Sequence, residues 1–574
     1  MTNSPSLRRQ RMDRASRIFW HPGMWIALAV FLGSGSLEAA TGETGPRTVL
    51  LGLGDSLTHG TLDGANNWIN TLNAYLQRIA NSLGQRIPLS FSQPLFSLEE
   101  KRLRPFILPT NLGVSGADAF SLEGIEYFQR AGVPESYVSP DLLADKLLPR
   151  QLQDTYDKVL YPINLYVGRP TSQLDSAIWL LNHGATAVGI DKAVVIFWVG
   201  NNDSGTAALG SGGMNPMFFP LPLDQIEPVM PLLTLLLRFG ESLGLVSFAP
   251  YTLASIERNL TRMGDFAAQY DRLLTRLQLE ERLAGVQTDL FLLTLPYYSA
   301  VGYLFDSDDL EFYLRKVNPA YGVPPSFKRV VLEGPGADPL SGDRVSLLTF
   351  GLMYALLDTG FPVEYVNQIL EVNGQQRDEL VLSESEQQYI MARIDWFNAV
   401  IKLSAAFRGP RVHLVDIGQF MNDALSGKLE VKIGDRVLSR KWIRGSSFSM
   451  DGVHPSYTGH ALVANFVLAA LNQALGLDAP LEDLSAVLAG DPYVDRDRDG
   501  WAPGPPYTGS GLTEVLFFFK DPDDRDPSVQ PVLPADVWVR IQNALLEEIF
   551  GIPVMREEAL RMGLAPAETA APEE

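Results

Sequence analysis

Apolar residues fall along this chain in two kinds of run. Five short segments are apolar with little alternation and are mostly bounded by turn residues: Thr48–Leu53, Ile107–Leu112, Ala193–Val199, Asp289–Leu295 and Arg411–Ile417. Strands buried on both faces have this continuous pattern, whereas a strand with one wet face alternates. Pro105 and Pro109 interrupt the second segment. Between these runs the period changes to that of a helix. Trp68–Leu83 carries Ile69, Leu72, Leu76 and Ile79 on one face, and Ser172–Asn182 is a short amphipathic stretch. Leu253–Leu283 is long and periodic and ends before Gly285. Glu384–Phe407 aligns Ile390, Ile394, Phe397 and Ile401 and is stopped by Gly409-Pro410; Thr458–Leu475 ends at Gly476. Alternating strands and helices predict an α/β fold in three layers, α/β/α, around a central, mostly parallel sheet.

Two stretches fall outside this alternation. Residues 204–250 hold a Gly-Ser-Gly-Gly run followed by Met214, Met217, Phe218, Phe219 and Pro220, and residues 297–380 mix aromatics with polar positions. Both read as long insertions beside the sheet, where apolar, Pro-rich chain either packs on the core or walls a binding site. The boundaries that follow are an N-terminal segment 1–40, a sheet domain over 41–480, an Asp-rich extension over 481–555, and an Ala/Pro/Glu-rich tail over 556–574 expected to be disordered.

The first 40 residues have the pattern of an export signal. Arg8, Arg9, Arg11, Arg14 and Arg17 precede an apolar run from Met24 to Leu32, and Leu37-Glu38-Ala39-Ala40 offers a cleavage site. The apolar run is too short to span a bilayer comfortably, and no other stretch reads as transmembrane, so the mature chain is expected to be secreted or periplasmic. A net charge of −21 repels phosphate backbones and argues against a nucleic-acid partner. The absence of cysteine among 574 residues excludes disulfides, thiolate catalysis and Cys-bound zinc. Nothing in the pattern defines an oligomeric state.

Candidate chemistry gathers where the apolar runs end. Gly54-Asp55-Ser56-Leu57 follows the first run directly. A serine there has its hydroxyl at the carboxyl edge of the sheet, where α/β folds bind ligands, although the same residues also serve as plain helix caps. Asp451-Gly452-Val453-His454 places a carboxylate three residues before an imidazole, close enough to hold its Nδ1–H and leave Nε2 for a serine. Of the six histidines, His454 is the one so placed behind the last apolar run. Asn111-Leu112-Gly113-Val114-Ser115-Gly116 and Gly200-Asn201-Asn202-Asp203 also stand at strand ends. They offer backbone N–H groups and a side-chain amide to an oxyanion, or are loops and turns and nothing more. Asp55 and Asp203 read as loop-ordering carboxylates, and His59 as a helix residue directed away from Ser56.

Taken together, the ordered Ser, Gly, Asn and His blocks resemble the GDSL, or SGNH, hydrolase family, over about half of the chain in pieces from Thr48 to Leu475. Phe291–Pro296 and Val412–Asp416 resemble that family's later core strands, and the two long insertions depart from it. The resemblance implies an SGNH-hydrolase-like fold and a serine esterase or lipase. Ser56 is then the nucleophile, His454 the base and Asp451 its orienting acid. The backbone N–H groups of Ser56 and Gly116, with the Asn202 amide, form the oxyanion hole. Gly116 is taken over Gly113 because it follows Ser115 as the family's glycine follows its serine. The expected partner is a small-molecule or lipid ester, no cofactor is required for catalysis, and the apolar insertions favour an acyl substrate. An acyltransferase on the same fold, or an inactive binding protein that keeps it, fits the same blocks.

A separate signal lies near the C-terminus. Asp495-Arg496-Asp497-Arg498-Asp499-Gly500 has the alternate carboxylates and sixth-position glycine that open a calcium loop, but Pro506 stands where an EF-hand needs its glutamate. Asp521, Asp523, Asp524 and Asp526 follow in a second acidic run. The pair resembles the Asp-rich calcium repeats of extracellular proteins and implies a structural Ca2+ site that clamps the tail; the alternative is a solvated acidic loop.

Overall fold

The computed structural model describes residues 47–98, 101–124, 155–168, 171–187, 190–209, 259–323 and 381–505, with short pieces between 217 and 257 and between 340 and 376, and Tyr507. The export-signal segment, most of 204–250 and the acidic run Asp521–Asp526 lie outside the described residues.

The main sheet has five strands, β1 (Arg47–Gly54), β2 (Leu89–Ser90), β3 (Ile190–Trp198), β4 (Gln287–Leu293) and β5 (Val412–Val415). All pair in parallel, in the order β5-β4-β3-β1-β2. Every residue of β1 from Thr48 onward, and of β3 from Ala193 onward, is buried, which is why these segments are apolar without alternation. Gly54 lies opposite Trp198, so β1 and β3 end level with one another. The chain leaves β1 toward β2 on one side and later returns to β3 on the other. Parallel sheets bind ligands at such a reversal, beyond the strands' carboxyl ends.

Helices cover both faces. Phe197 and Trp198 are consecutive in β3 and therefore point to opposite sides. Tyr270 of a long helix packs edge-on to Phe197 at 5.5 Å, and Tyr75 packs edge-on to Trp198 at 5.5 Å. The helices used below are α1 (Ser56–His59), α2 (Trp68–Asn73), α3 (Tyr75–Leu83), α4 (Gln173–Ala187), α5 (Asn202–Leu209), α6 (Met263–Ala284), α7 (Glu384–Phe407) and α8 (Tyr457–Leu475). α4 and α7 pack on α6 on the Phe197 side, and α8 packs on α3 on the Trp198 side. The molecule is thus an α/β fold with a parallel central sheet and flanking helices. Among the described residues no helix is long and apolar enough to cross a membrane.

The structure departs from the expected elements in specific places. Ile107–Leu112 is not a strand: only Asn111 bridges Gly52, while Ile107 is exposed. The prolines deny this segment a regular ladder, so two pieces of chain share the edge of β1. Leu89–Ser90 pairs with its start, and near its end Thr110 O and Leu112 N bond Gly52. The run Trp68–Leu83 is not one helix but α2 and α3, broken at Ala74 (φ −72°, ψ 157°), and Tyr75 N–H donates to His460 Nδ1 at 3.3 Å. α6 begins at Met263 rather than near Leu253, because Thr261 is held in the preceding turn by Asp203, N–H to carbonyl at 2.9 Å and Oγ1 to carboxylate at 2.8 Å. α7 has the expected ends, with Ser383 and Glu386 closing a reciprocal capping box.

Residues 297–380 are more than a surface insertion. Leu304–Phe305, Arg344–Ser346 and Val381–Leu382 form a small antiparallel sheet. Phe305, Tyr313 and Phe350 surround the buried Trp442 at ring distances of 5.3, 5.0 and 6.0 Å. The C-terminal extension also docks on the sheet domain: the buried Asp491 carboxylate accepts Thr458 N–H and Oγ1–H at 2.7 Å, at the start of α8.

Candidate active site

Ser56 begins α1, the single turn that leaves β1. Asp55 caps that turn, its Oδ1 accepting Leu57 N–H at 3.0 Å. The other carboxylate oxygen accepts Asn201 Nδ2–H at 2.8 Å, so the turns after β1 and β3 are fastened together. From α4, Gln173 accepts Gly54 N–H at 3.0 Å and donates to Gly54 O at 2.9 Å. The backbone before Asp55 and the Asp55 side chain are therefore fixed by side chains from distant elements. Burial pushes the Asp55 carboxyl up to about 6, with Asn201, Leu57 N–H and the charge of His454 opposing the rise.

His454 and Asp451 meet in the turn before α8. His454 Nδ1 stands 2.5 Å from Asp451 Oδ2. Asp451 Oδ1 also accepts the N–H groups of Val453 and His454 and the hydroxyl of Ser449, each at 2.9 Å, while Oδ2 accepts Gly64 N–H at 2.9 Å. Burial disfavours the Asp451 anion, but His454 and these donors outweigh it and hold its carboxyl below the usual range. Burial likewise opposes protonation of His454, and the Asp451 carboxylate, helped by Asp55 and Asp63, overcomes it and raises the imidazole. Gly452 takes φ +69° at the centre of this turn, and a Cβ there would stand 2.5 Å from Tyr303 N, so only glycine fits.

The two turns are neighbours. Asp63 and Gly64, a few residues beyond Ser56, bond the backbone of Met450 at 2.8 Å and the carboxylate of Asp451 at 2.9 Å. Asp55 and His454 each favour the other's charged form. The loop with Gly116 joins from the side. Asp203 accepts Ala119 N–H at 2.9 Å, and Asn202 Nδ2 donates to Ala117 O at 3.0 Å. Gly116 has φ +82°, a backbone form that favours glycine. Ser56, Leu57, Gly116, Asn202 and Val453 are half-buried, and most of their neighbours in sequence are buried. Partial exposure thus falls on the very positions that resemblance assigned to nucleophile and oxyanion donors.

His59 does not share this exposure. It is fully buried, packs 5.4 Å from Phe96, and approaches Ser115 Oγ at 3.3 Å; burial lowers it to about 3 and keeps it neutral. Sequence reasoning missed Asn201, Gln173, Asp63 and Tyr493. Tyr493 donates its hydroxyl to Asp63 Oδ2 at 2.5 Å, so Asp63 links the C-terminal extension to Met450. Asn201 lay within the quoted Gly-Asn-Asn-Asp block, but nothing local distinguishes the buried amide that bonds Asp55 from the half-buried one that bonds Ala117 O. A cavity of about 260 Å3, lined by Leu181, Val195, Leu277, Thr288, Leu290 and Val412, lies toward the amino-terminal ends of β4 and β5 and touches none of the residues above.

Of the acidic positions, Asp495, Asp497 and Asp499 each bring one carboxylate oxygen within 4.8 Å of the others. Asp521, Asp523, Asp524 and Asp526 fall outside the described residues. A second trio, Asp306, Asp308 and Asp309, was not anticipated.

What fold and site define is a class: an α/β protein with a five-stranded parallel sheet whose carboxyl edge carries a buried Asp–His pair beside a serine turn. Comparison with protein families, with curated sequences and with solved structures gives no match for this chain.

Proposed function

We propose that this chain is a GDSL-type (SGNH) serine hydrolase that cleaves carboxylic esters through an acyl-enzyme on Ser56. One observation carries the reading. The Asp451–His454 pair, in which the acid holds Nδ1 and so leaves Nε2 available, lies beside the Asp55-Ser56 turn at the strand reversal between β1 and β3. His454 Nε2 takes the Ser56 hydroxyl proton as Oγ bonds to the ester carbonyl carbon. The carbonyl oxygen becomes an oxyanion that accepts from Ser56 N–H, Gly116 N–H and Asn202 Nδ2–H. One Asn202 hydrogen is used on Ala117 O, and the amide carries a second. Collapse breaks the bond to the alcohol oxygen, which leaves with the proton from His454. Water, deprotonated by the same imidazole, then releases the acid and restores Ser56.

Leu57 and Val453, half-buried apolar residues next to Ser56 and His454, favour an ester with an apolar acyl or alcohol part. The basic and apolar pattern of the first 40 residues supports an exported, extracytoplasmic enzyme. The test is hydrolysis of p-nitrophenyl esters of increasing acyl length by the native protein and by Ser56→Ala, with fluorophosphonate labelling of both. Turnover and labelling that disappear together in a folded Ser56→Ala protein are the expected result. Equal turnover by the variant, or failure of the folded native protein to label, overturns the assignment.

A further inference from the structure

The two aspartate trios differ in how their charge is answered. Asp306, Asp308 and Asp309 are met by Arg440 (2.9 Å to Asp306), Lys441 (2.7 Å to Asp306) and Arg444 (2.6 Å to Asp309), so three cations face three carboxylates. Among the described residues the trio at 495–499 has Lys316 alone, 3.1 Å from Asp499 Oδ2. The arginines interleaved with it turn elsewhere: Arg498 pairs with Asp435, and Arg496 Nη2 reaches toward Ala489 O at 3.5 Å.

A second observation concerns Asp495 alone. The residue is 2% exposed. Its Oδ2 accepts Gly500 N–H at 2.8 Å, but its Oδ1 is buried and has no hydrogen-bond partner among the described residues. A buried carboxylate oxygen without a donor costs free energy, and two further carboxylates beside it add to the cost. A hard cation satisfies all three at once. The donors are oxygen only, on a loop with one buried and two more open ligands, which suits the larger and more permissive coordination of Ca2+ better than the strict octahedron of Mg2+.

We propose that Asp495, Asp497 and Asp499 bind a calcium ion that fastens the 491–505 segment against the turn carrying Asp451 and His454. The loop lies between two residues that support Met450, the neighbour of Asp451. On one side Tyr493 bonds Asp63, which accepts Met450 N–H at 2.8 Å. On the other Trp501 packs edge-on to Trp442 at 6.3 Å, and Trp442 Nε1 donates to Met450 O at 2.8 Å. A cation closing the loop sets the spacing of Tyr493 and Trp501 and, through them, steadies Met450 from both sides. The site involves none of the residues assigned to ester cleavage, and its test needs no turnover.

The full chain, stripped with EDTA, is titrated with CaCl2 and separately with MgCl2 by calorimetry, and its unfolding temperature is followed with each ion. Asp497→Asn and Asp499→Asn are compared with it; Asp497 is exposed, so its replacement leaves folding intact. Calcium is expected to bind and raise the unfolding temperature, magnesium to bind more weakly, and each variant to lose calcium affinity on the order of tenfold or more. Amide exchange at Tyr493, Thr458 and Met450 should slow with calcium in the native chain and not in Asp497→Asn. Unchanged calcium affinity in both variants places the ion elsewhere and overturns the site. Loss of affinity with exchange unaltered at those amides overturns the fastening.

Discussion

Asp55 and Asn201 stand 146 positions apart and share a hydrogen bond of 2.8 Å that joins the turn after β1 to the turn after β3. Both residues are buried. With Asp55 capping α1, this bond sets where Ser56 sits relative to the β3 turn. The Asp55 carboxyl, raised to about 6 from 3.8, contributes stability that is complete below about pH 4 and is lost as pH rises through about 6. Asn201→Ala removes the side-chain bond to the anion, so its penalty should be larger at pH 7.5 than at pH 4.5. A loss of about 1–3 kcal/mol at the higher pH is expected from urea unfolding curves at the two pH values.

Asn202→Ala should lower kcat for a p-nitrophenyl ester about 100-fold or more with little change in KM, as loss of an oxyanion donor does. The substitution also frees Ala117 O, which Asn202 now bonds at 3.0 Å. The unfolding midpoint, measured in parallel, separates the two effects: a drop in kcat without a matching drop in stability is the catalytic signature.

His454 is raised above its ordinary value of 6.5 because the Asp451 carboxylate outweighs burial. The base must be neutral to accept a proton, so kcat/KM should climb with pH through an inflection above 6.5. Asp451→Asn removes the charge and should shift that inflection downward while lowering kcat about ten-thousand-fold. The same pair favours the folded state most where His454 is protonated, so its contribution fades as pH rises through the raised imidazole value. A pH–rate profile of native and variant enzymes reads the shift.

Arg440→Met should be among the most damaging single changes in the molecule. The Arg440 side chain is 4% exposed and pairs with Asp306 at 2.9 Å, while donating to Leu304 O at 2.7 Å. Burial disfavours the Asp306 anion, but Arg440 and Lys441 outweigh it and hold the carboxyl well below its usual range. Removing the arginine leaves half-buried Asp306 and buried Asp309 to Lys441 and Arg444 and strips Leu304 O of its donor, at a cost of about 3–5 kcal/mol by chemical denaturation. Arg440→Met with Asp306→Asn should recover part of that loss.

Strands β1, β3 and β4 were legible because burial on both faces leaves a continuous apolar run, a purely local mark. β2 was not, since two residues carry no period. The break at Ala74 was invisible for a different reason: alanine is a strong helix former, and the partner of the freed Tyr75 N–H is His460, 385 positions later. The site divided the same way. Asp451 and His454 find each other within one turn and stood out. Gln173, Asp63, Asn201 and Tyr493 act through hydrogen bonds to residues more than a hundred positions distant, and their identity as polar residues in loops or helices gave no sign of those partners.

The order of the strands has a consequence for how the molecule comes into being. β1 emerges first of the strands and lies between β3 and β2, yet the turn that completes its serine belongs to the stretch behind the last strand of the sheet. Any amino-terminal fragment that stops short of His454 holds a hydroxyl with no base, so on the proposed chemistry a nascent chain stays inert until most of it has been made.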